Sequence, residues 1–552
     1  MTANMFRSRG RLRSMAHRIA AVSLTLVAGA IAGTAQTYFQ PGNLVVSRSV
    51  YDNNPNNVKV GETLPPNCQS TQAGCNGMAT YDGTYPLVWN NDIVDSSFGI
   101  TSKIVLDQFT PAGSLVNSLE VPHSSLLGVA LKGDQMVGSF SSKSEIALNL
   151  STDGQYLTFM GYVDAIDDLD VSNSNTPLEV DPTNPVGRSF YRAVAQVDPN
   201  GNFSFTKSNA YSGNNGRAAI LNNTSGANFY YTAGNAGNGG TPQPDGIIIG
   251  AGAQILSPAN KPLVAQMPGM PTPVASFNIT QLGDKPDKIG KDDNFRGLTI
   301  FNDVLYYTKG SGGNGVNTVY WVDPTLTICN DNDGVGLPPS NATLPTMPLA
   351  YDPSKLQTLG LDPNNMCVLK GFPVALKSKT SFPFGIWFAN ATTLYVADEG
   401  NGDNTYSNGM YTVAAAQTTA GLQKWIFDSG KGQWNLAYVL QSGLQLGVPY
   451  TVTNYPTGNN PATGLPWSPG TDGLRNITGV VNNDGTATIY AITSTVSGNG
   501  DQGADPNKLV VITDQISATS LPPDEKFSTF DSANNLEVLR GVSFTPVPSD
   551  RR

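Results

Sequence analysis

The sequence is poor in charged side chains, which make up only 13% of its 552 residues. Coiled coils carry many more charges and few glycines or prolines, whereas this chain has Gly 58 and Pro 38. Acids outnumber bases by 42 to 32, which excludes a basic nucleic-acid binder. The 21 Tyr, 21 Phe and 6 Trp exclude a disordered chain. A large, turn-rich, acidic globular protein remains.

The chain has only two histidines. One of them, His17, lies in the basic N-terminal segment, so sites that need several histidines are excluded from one mature chain. The sequence also lacks a CxxC pair, a Walker A motif and a GxSxG motif, which argues against zinc, nucleotide and serine-hydrolase sites. We expect His123, in the segment VPHSSLLG, to be an exposed loop residue.

The N-terminus has the order of a secretory signal. Residues 1–18 contain five arginines and no acid, and residues 19–33 are almost wholly apolar. Gly33 and Ala35 are the small residues that a cleavage site requires. We therefore predict a signal peptide at 1–35 and a secreted or periplasmic protein with no transmembrane segment after cleavage. An uncleaved anchor is the alternative, although the apolar run is shorter than the roughly 20 residues that span a bilayer.

Four cysteines remain in the mature chain: Cys68, Cys75, Cys329 and Cys367. An even number of cysteines in an exported protein predicts two disulfides. The spacing favours Cys68–Cys75 and Cys329–Cys367, each closing a local loop, among the three possible connectivities.

Six segments of the chain align as an internal repeat spaced 65–91 residues apart. They begin at Glu145, Arg217, Arg296, Phe384, Arg475 and Arg540. In each segment, this first residue is followed by a strand of small and apolar residues. In the first five, an Asn/Asp/Gly turn then leads into a second strand that contains a tyrosine. Each interval has room for four short antiparallel strands, which is typical of a β-propeller blade.

The two ends of the chain complete the count. The C-terminal GVSFTP is a lone first strand, and NLVVSRSVY, KIVLDQFT and LVNSLEVP near the N-terminus supply three more. We predict an all-β, six-bladed β-propeller over residues 36–546, closed by this shared blade, with a tail at 547–552. Seven blades are the alternative, because residues 122–144 have room for further strands.

The "RG-apolar" strand, the turn and the segment LYVADEG resemble six-bladed propellers of the NHL, gluconolactonase-like and phytase-like kinds. They also resemble a group of secreted bacterial propellers with no assigned activity. The resemblance covers most of the mature chain. It implies an architecture, and a fold alone does not define an activity.

The starts of the first strands are the first candidate site. First strands of propeller blades line the central channel, so Glu145, Arg217, Arg296, Phe384, Arg475 and Arg540 are expected at one mouth. Four guanidiniums near one axis repel unless something neutralises them. A bound carboxylate or phosphate would do so, because arginine binds both through paired hydrogen bonds. The alternative is that each arginine pairs with a local acid or with backbone carbonyls.

The loop after LYVADEG is the second candidate, because Asp398, Glu399 and Asp403 alternate there with glycines and amides. Calcium takes six to eight oxygen ligands, which such a loop can supply. Shorter clusters occur at 331–333 and among four aspartates in 164–170, and none has EF-hand spacing. The alternative is ordinary solvated turns, since Asp, Asn and Gly dominate turns.

Tryptophans could stack on sugars if they were exposed. Five are spread over the repeat: Trp321, Trp387, Trp425, Trp434 and Trp467. The strand positions of the first four favour packing between blades instead.

Two classes of function stay open. The first is a monomeric binding module that holds a small anionic ligand or an extracellular partner at the arginine-lined mouth. The second is a calcium-dependent hydrolase, lactonase-like or phytase-like, in which the arginines hold an anionic substrate and the acids hold the metal. The sequence leaves open whether the protein is an enzyme.

Overall fold

The computed structural model describes residues 38–549 with gaps. The residues outside the description are 1–37, 53, 67, 69–74, 76, 81–98, 132, 140–144, 179–180, 238–249, 251, 263–270, 273–293, 311–314, 326, 329–333, 347–348, 351–365, 376–377, 500–504 and 550–552. The predicted signal peptide, Cys329 and the 331–333 cluster therefore lie outside the described residues. Within the described part, helix is limited to the α-helix Thr412–Ala415 and the 3-10 helix Val171–Asn173.

Five antiparallel sheets follow one another along the chain, and we number them blades 1 to 5. Blade 1 consists of Asn149–Leu150, Leu157–Tyr162, Arg192–Val197 and Phe203–Ser208. Blade 2 consists of Gly216–Asn222, Phe229–Gly234 and Gln254–Leu256. Blade 3 consists of Phe295–Phe301, Val304–Lys309, Thr318–Val322 and Met366–Val368. Blade 4 consists of Pro383–Asn390, Thr393–Asp398, Gly421–Asp428 and Gln433–Leu440. Blade 5 consists of Gly470–Val481, Thr486–Val496, Lys508–Gln515 and Ser528–Ser532.

Blade 6 joins the two ends of the chain. Its strand order is Glu537–Phe544, Leu44–Val50, Thr101–Phe109 and Leu115–Glu120, with Gly138–Ser139 paired to the third strand. Arg48 ties the blade together, because its guanidinium pairs with Asp107 at 2.7 Å and also with Glu537. The prediction of six blades with a shared closing blade is confirmed, and the seven-blade alternative is wrong.

The first strands form a closed ring, in which each inner strand contacts the next around the axis. The glycine of the repeat motif explains how closely they approach. A Cβ atom on Gly297 or Gly385 would lie closer than 3.0 Å to the backbone carbonyl of Phe384 or Arg475, on the next inner strand. A Cβ on Gly541 would lie 2.6 Å from the Ile146 carbonyl oxygen. Only glycine leaves room for these contacts.

Burial falls from the ring outwards. Every residue of the inner-lying strand Val304–Lys309 is buried, whereas no residue of the edge strand Leu115–Glu120 is. The reason is that blades stack face to face, so inner strands are covered on both sides. Aromatic side chains fill the space between blades 3 and 4, where the Phe301 and Phe388 rings stack at 4.5 Å.

Small elements lie outside the blades. Three two-stranded ribbons pair Thr63–Leu64 with Gly77–Met78, Pro271–Thr272 with Leu349–Ala350, and Tyr406–Ser407 with Met410–Tyr411. None of the helices in the described part of the chain has the length and apolar character to cross a membrane.

One predicted disulfide is confirmed, because Cys68 and Cys75 are bonded with their Cα atoms 5.6 Å apart. Cys367 lies on the outer strand of blade 3 and is also disulfide-bonded. Its predicted partner, Cys329, lies outside the described residues, so that pairing stays a prediction.

Candidate functional site

The six residues predicted to start the inner strands are all buried. Arg217, Arg296 and Phe384 are the second residues of their strands, and Glu145 precedes its short strand by four residues. Arg475 and Arg540 lie further inside their strands, at the sixth and the fourth residue. The ring contacts of the motif glycines place these positions at one level. We call this end the arginine mouth, defined by Glu145, Arg217, Arg296, Phe384, Arg475 and Arg540.

Glu399 brings the opposite charge to the arginine mouth. It follows the second strand of blade 4, which returns to the end where the inner strand begins. Its carboxylate lies 3.2 Å from Nε of Arg475 and 3.9 Å from Nε of Arg296. One carboxylate is therefore shared by arginines from two blades, so the alternative of local acid partners holds for these two.

Arg217 is differently placed. Its Nη1 donates to the Phe295 carbonyl at 2.7 Å and to the Asn294 side chain. Within the described part of the chain it forms no ion pair, and its buried Nε has no hydrogen-bond partner. Burial lowers the pKa of Arg217 well below its usual value, and the nearby Arg296 lowers it further. Arg217 is thus a buried positive charge that no ion pair among the described residues neutralises.

Arg540 and Glu145 occupy the blade 6 side of the same mouth. Arg540 donates to Tyr51 Oη at 2.9 Å and to Ser49 Oγ at 3.2 Å. Both residues also contact the backbone of Ser139, because the Ser139 N–H donates to Glu145 and the Ser139 carbonyl accepts from Arg540 at 3.4 Å. Arg540 is therefore held by two side-chain hydroxyls and one backbone carbonyl.

Phe384 is the one uncharged member of the ring of six. The guanidinium of Arg296 lies over its ring, with Cζ 5.9 Å from the centroid. An aromatic face at this distance attracts a cation and fixes its orientation without removing its charge. Phe384 therefore orients Arg296 and does not neutralise it.

The carboxylates proposed as calcium ligands already have donors. Asp398 accepts from Ser381 Oγ and the Phe382 N–H, both at 2.8 Å, and from Gln423 Nε2 at 2.9 Å. Burial raises the pKa of Asp398 to about 6. Glu399 pairs with the arginines, and calcium at either carboxylate would displace these partners.

Asp403 faces its own loop, where Oδ1 accepts from the Thr405 N–H at 2.9 Å. Among the described residues, no three His, Cys, Asp or Glu side chains lie close enough together to hold a metal ion. Calcium binding, at this loop or elsewhere, stays a prediction.

His123 is not the exposed loop residue that we expected. Its side chain is only 1% exposed, and Nε2 hydrogen-bonds the carboxylate of Glu120. This bond is the main reason that the pKa of Glu120 is lowered. The backbone beside His123 is paired with a later segment, because the Met136 N–H donates to the Pro122 carbonyl at 2.9 Å.

A cavity of about 570 Å³ opens at the other end of the ring. Inner strands of all six blades line it, from Leu148–Thr152 in blade 1 to Ser543 in blade 6. The lining is rich in hydroxyl and amide groups and includes one acid, Asp303, and one tryptophan, Trp387. We call this end the hydroxyl mouth, defined by Ser151, Thr152, Thr224, Thr299, Thr478 and Ser543.

A second cavity of about 420 Å³ lies beside the first. The two share the turn residues Asn302 and Asp303, which have φ values of 49° and 59°. This two-residue hairpin connects the paired Phe301 and Val304, so both turn side chains are held at the junction. The second cavity is more aromatic, with Phe388 and Trp434 in its wall.

Sequence reasoning missed the hydroxyl mouth. The sequence predicted a site only at the starts of the first strands, although their ends also lie side by side around the ring. The polar run Asn302–Asp303 between two strands was a readable signal for a tight turn. The tryptophan expectation holds for Trp321, Trp425 and Trp434, which are buried, but not for the half-buried Trp387.

Comparisons with known proteins give a distant likeness. No family model matches the chain, and no curated protein matches it. A solved structure of a polysaccharide lyase, an ulvan lyase bound to -[GlcA(1-4)Rha3S]-, aligns at 10% sequence identity with a TM-score of 0.28. The alignment covers 82% of this chain and 94% of that chain. A likeness of this strength carries no argument about activity, and the resemblance to NHL-type, gluconolactonase-like and phytase-like families stays a prediction.

Proposed function

We propose that this protein is a secreted, monomeric propeller module that binds a small anion at the arginine mouth. The ligand carries a carboxylate or phosphate group. The observation that supports this most is that Arg296 and Arg475 share the single carboxylate of Glu399, while the buried Arg217 lies close enough to Arg296 to be repelled by it. A second negative group would compensate the remaining positive charge.

The geometry favours an anion with two or three oxygens. Guanidinium groups bind carboxylates and phosphates through parallel N–H donors, and such bonds are about twice as strong as neutral ones. Burial strengthens them further, because little water competes. Arg217 has a buried Nε without a partner among the described residues, so it offers a donor.

Binding is favoured over catalysis because the acids at this mouth are already engaged. A general base needs a free carboxylate within reach of the substrate proton. Asp398 accepts three hydrogen bonds through Oδ2, and Glu399 is ion-paired. The calcium-dependent hydrolase remains the second candidate because both acids lie at the same mouth as the arginines, as that mechanism requires.

Secretion is supported by the Cys68–Cys75 bond. Disulfides persist in oxidising compartments such as the periplasm and the extracellular space. This agrees with the signal peptide predicted for residues 1–35.

The test is titration calorimetry of the mature protein with inorganic phosphate and with citrate. We expect binding of at least one anion, weakened about 10-fold to 100-fold by Arg296→Ala or Arg475→Ala. Arg217→Lys keeps the positive charge but removes the paired N–H donors of the guanidinium group, so we expect a smaller loss of anion affinity.

Arg188→Ala is the matched control, because this arginine is half exposed and pairs with Asp168 outside the ring. Its affinity should stay within twofold of the parent protein. If neither anion binds, or if both alanine variants bind like the parent, the proposal fails.

A further inference from the structure

The geometry points to a second ligand site in this protein: we propose that the hydroxyl mouth binds a linear, uncharged oligosaccharide. The site does not rest on the function proposed for the arginine mouth. It is built from the ends of the inner strands and from the two cavities that meet at Asn302 and Asp303.

Size is the first argument. The channel cavity of about 570 Å³ is within the range of small-molecule sites, roughly 300–1,000 Å³. The adjoining cavity of about 420 Å³ shares the Asn302–Asp303 turn, so an elongated ligand that crosses this turn would contact both cavities. A chain of two or more sugar units fits this shape better than a compact ligand.

Polarity is the second argument. No lysine, arginine or histidine is among the residues that line the channel cavity in the described part of the chain, so nothing there neutralises an anion. The single carboxylate of Asp303 is too little for a multivalent cation. An apolar ligand would bury hydroxyl and amide groups without partners, which costs free energy. The lining therefore disfavours anions, multivalent cations and apolar ligands, and it favours an uncharged ligand rich in hydroxyl groups.

Available hydrogen-bonding groups are the third argument. The side chains of Thr299, Asn302, Asp303 and Thr478 form no hydrogen bond to other residues in the described part of the structure. Sugar hydroxyls both donate and accept, so they can bond to threonine, asparagine and aspartate alike. These groups are partly or fully exposed at the cavity, where a ligand can reach them.

Trp387 adds an aromatic ring to the aliphatic side chains that line this cavity between its polar groups. It is held against blade 5, because a Cβ on Gly479 would lie 2.9 Å from three atoms of the indole ring. Gly479 therefore lets the ring pack closely against the next inner strand. A rigid aromatic ring in a sugar site stacks on the C–H face of a pyranose while polar neighbours bond its hydroxyls.

The experiment is calorimetric titration of the mature protein with cellotetraose, xylotetraose, maltotetraose and mannotetraose. We expect at least one to bind with a dissociation constant below about 1 mM. Asp303→Ala, at an exposed turn, should weaken that binding at least about 10-fold, and Trp387→Phe should weaken it less than Trp387→Ala.

Two controls separate this site from the arginine mouth and from folding. Asp484→Ala removes an exposed acid in the corresponding turn of blade 5, outside the cavity, and should leave binding unchanged. Arg475→Ala should leave it unchanged as well. If none of the four sugars binds, or if Asp303→Ala and Trp387→Ala both bind like the parent, the proposal is overturned.

Discussion

At the arginine mouth the inner strands contribute four buried guanidiniums, whereas at the hydroxyl mouth they and the turns that follow contribute hydroxyl groups, of which Thr152, Thr224, Thr299 and Thr478 are partly exposed. In blade 3, only three residues of one strand separate Arg296 from Ile300 in the cavity wall. In blade 4 the connection on the arginine side, residues 399–420, is much longer than the two-residue turn 391–392 between the first two strands on the other side. Charge is thus covered by loops at one end, and a polar cavity is left open at the other.

The difference shows that the fold does not determine which kind of ligand is bound. Both mouths are formed by the same ring of strands, which fixes where side chains lie, whereas the residue type at each position determines what they can bind. Changes to the ring should therefore affect both mouths, whereas changes to one mouth should leave the other intact.

The largest effect is expected from Gly385→Ala, which changes the ring itself. The new Cβ would overlap the Arg475 carbonyl on the neighbouring strand, and backbone cannot move aside cheaply. We expect a loss of about 3 kcal/mol in the free energy of unfolding, together with weaker binding at both mouths. Thermal and denaturant unfolding measure it.

Gly430→Ala is the control for that substitution, because Gly430 lies in an exposed hairpin of the same blade. Its Cβ would meet only the side chain of Asp428 at 3.3 Å. An equal loss in both variants would show that the close approach of the inner strands does not explain the motif glycine.

Glu399→Gln changes the arginine mouth alone, and it should increase the affinity for anions although it removes a side chain of that site. The carboxylate of Glu399 competes with any bound anion for Arg296 and Arg475. Its removal should tighten phosphate or citrate binding about 10-fold, which corresponds to about 1.4 kcal/mol. Sugar binding at the hydroxyl mouth should not change.

Glu537→Gln is the matched variant, since it breaks the Arg48–Glu537 pair in blade 6, away from the ring of arginines. It should lower stability without tightening anion binding. Weaker anion binding in Glu399→Gln would mean that Glu399 positions the arginines and does not compete with the ligand.

The difference between the mouths also explains how far the sequence could be read. The repeat revealed the blades because glycines such as Gly385 are required by backbone contact, and required residues leave a pattern. For the same reason, the aligned repeat predicted that Arg296 and Arg475 lie at the same mouth. The sequence did not reveal that Glu399 would pair with both, because that contact depends on how a loop turns. The hydroxyl mouth was missed because serine and threonine are common on any strand, so no single residue type marks the cavity.

A smaller effect on stability is expected from a change of pH, and it should come mainly from acidic groups on the arginine side. Burial raises the pKa of Asp164 to about 8, of Asp167 to about 7 and of Asp398 to about 6, all in loops or strand ends on that side. Glu525 is raised to about 7 by burial as well. Each folded pKa exceeds its unfolded value near 4, so the folded state binds these protons more tightly.

Stability from these groups is therefore fully present below about pH 4 and is lost as the pH rises towards about 8. We expect the melting temperature to fall by a few degrees between pH 5 and pH 8. Asp164→Asn mimics the protonated acid and should flatten this fall, whereas Asp198→Asn, in an exposed turn, should not. A melting temperature that rises over this range would contradict the assignment.

The smallest effect is expected from calcium, and it separates the two classes of function at the arginine mouth. A ligand at 100 times its dissociation constant stabilises the folded state by about 2.7 kcal/mol, which raises the melting temperature measurably. The binding-module proposal expects no such rise in millimolar calcium relative to a chelator, because Asp398 and Glu399 already have protein donors. A rise that disappears in Asp403→Asn would place calcium in this loop and favour the hydrolase. A rise that survives this substitution would point to an ion held elsewhere, which leaves the anion site at the arginines as proposed.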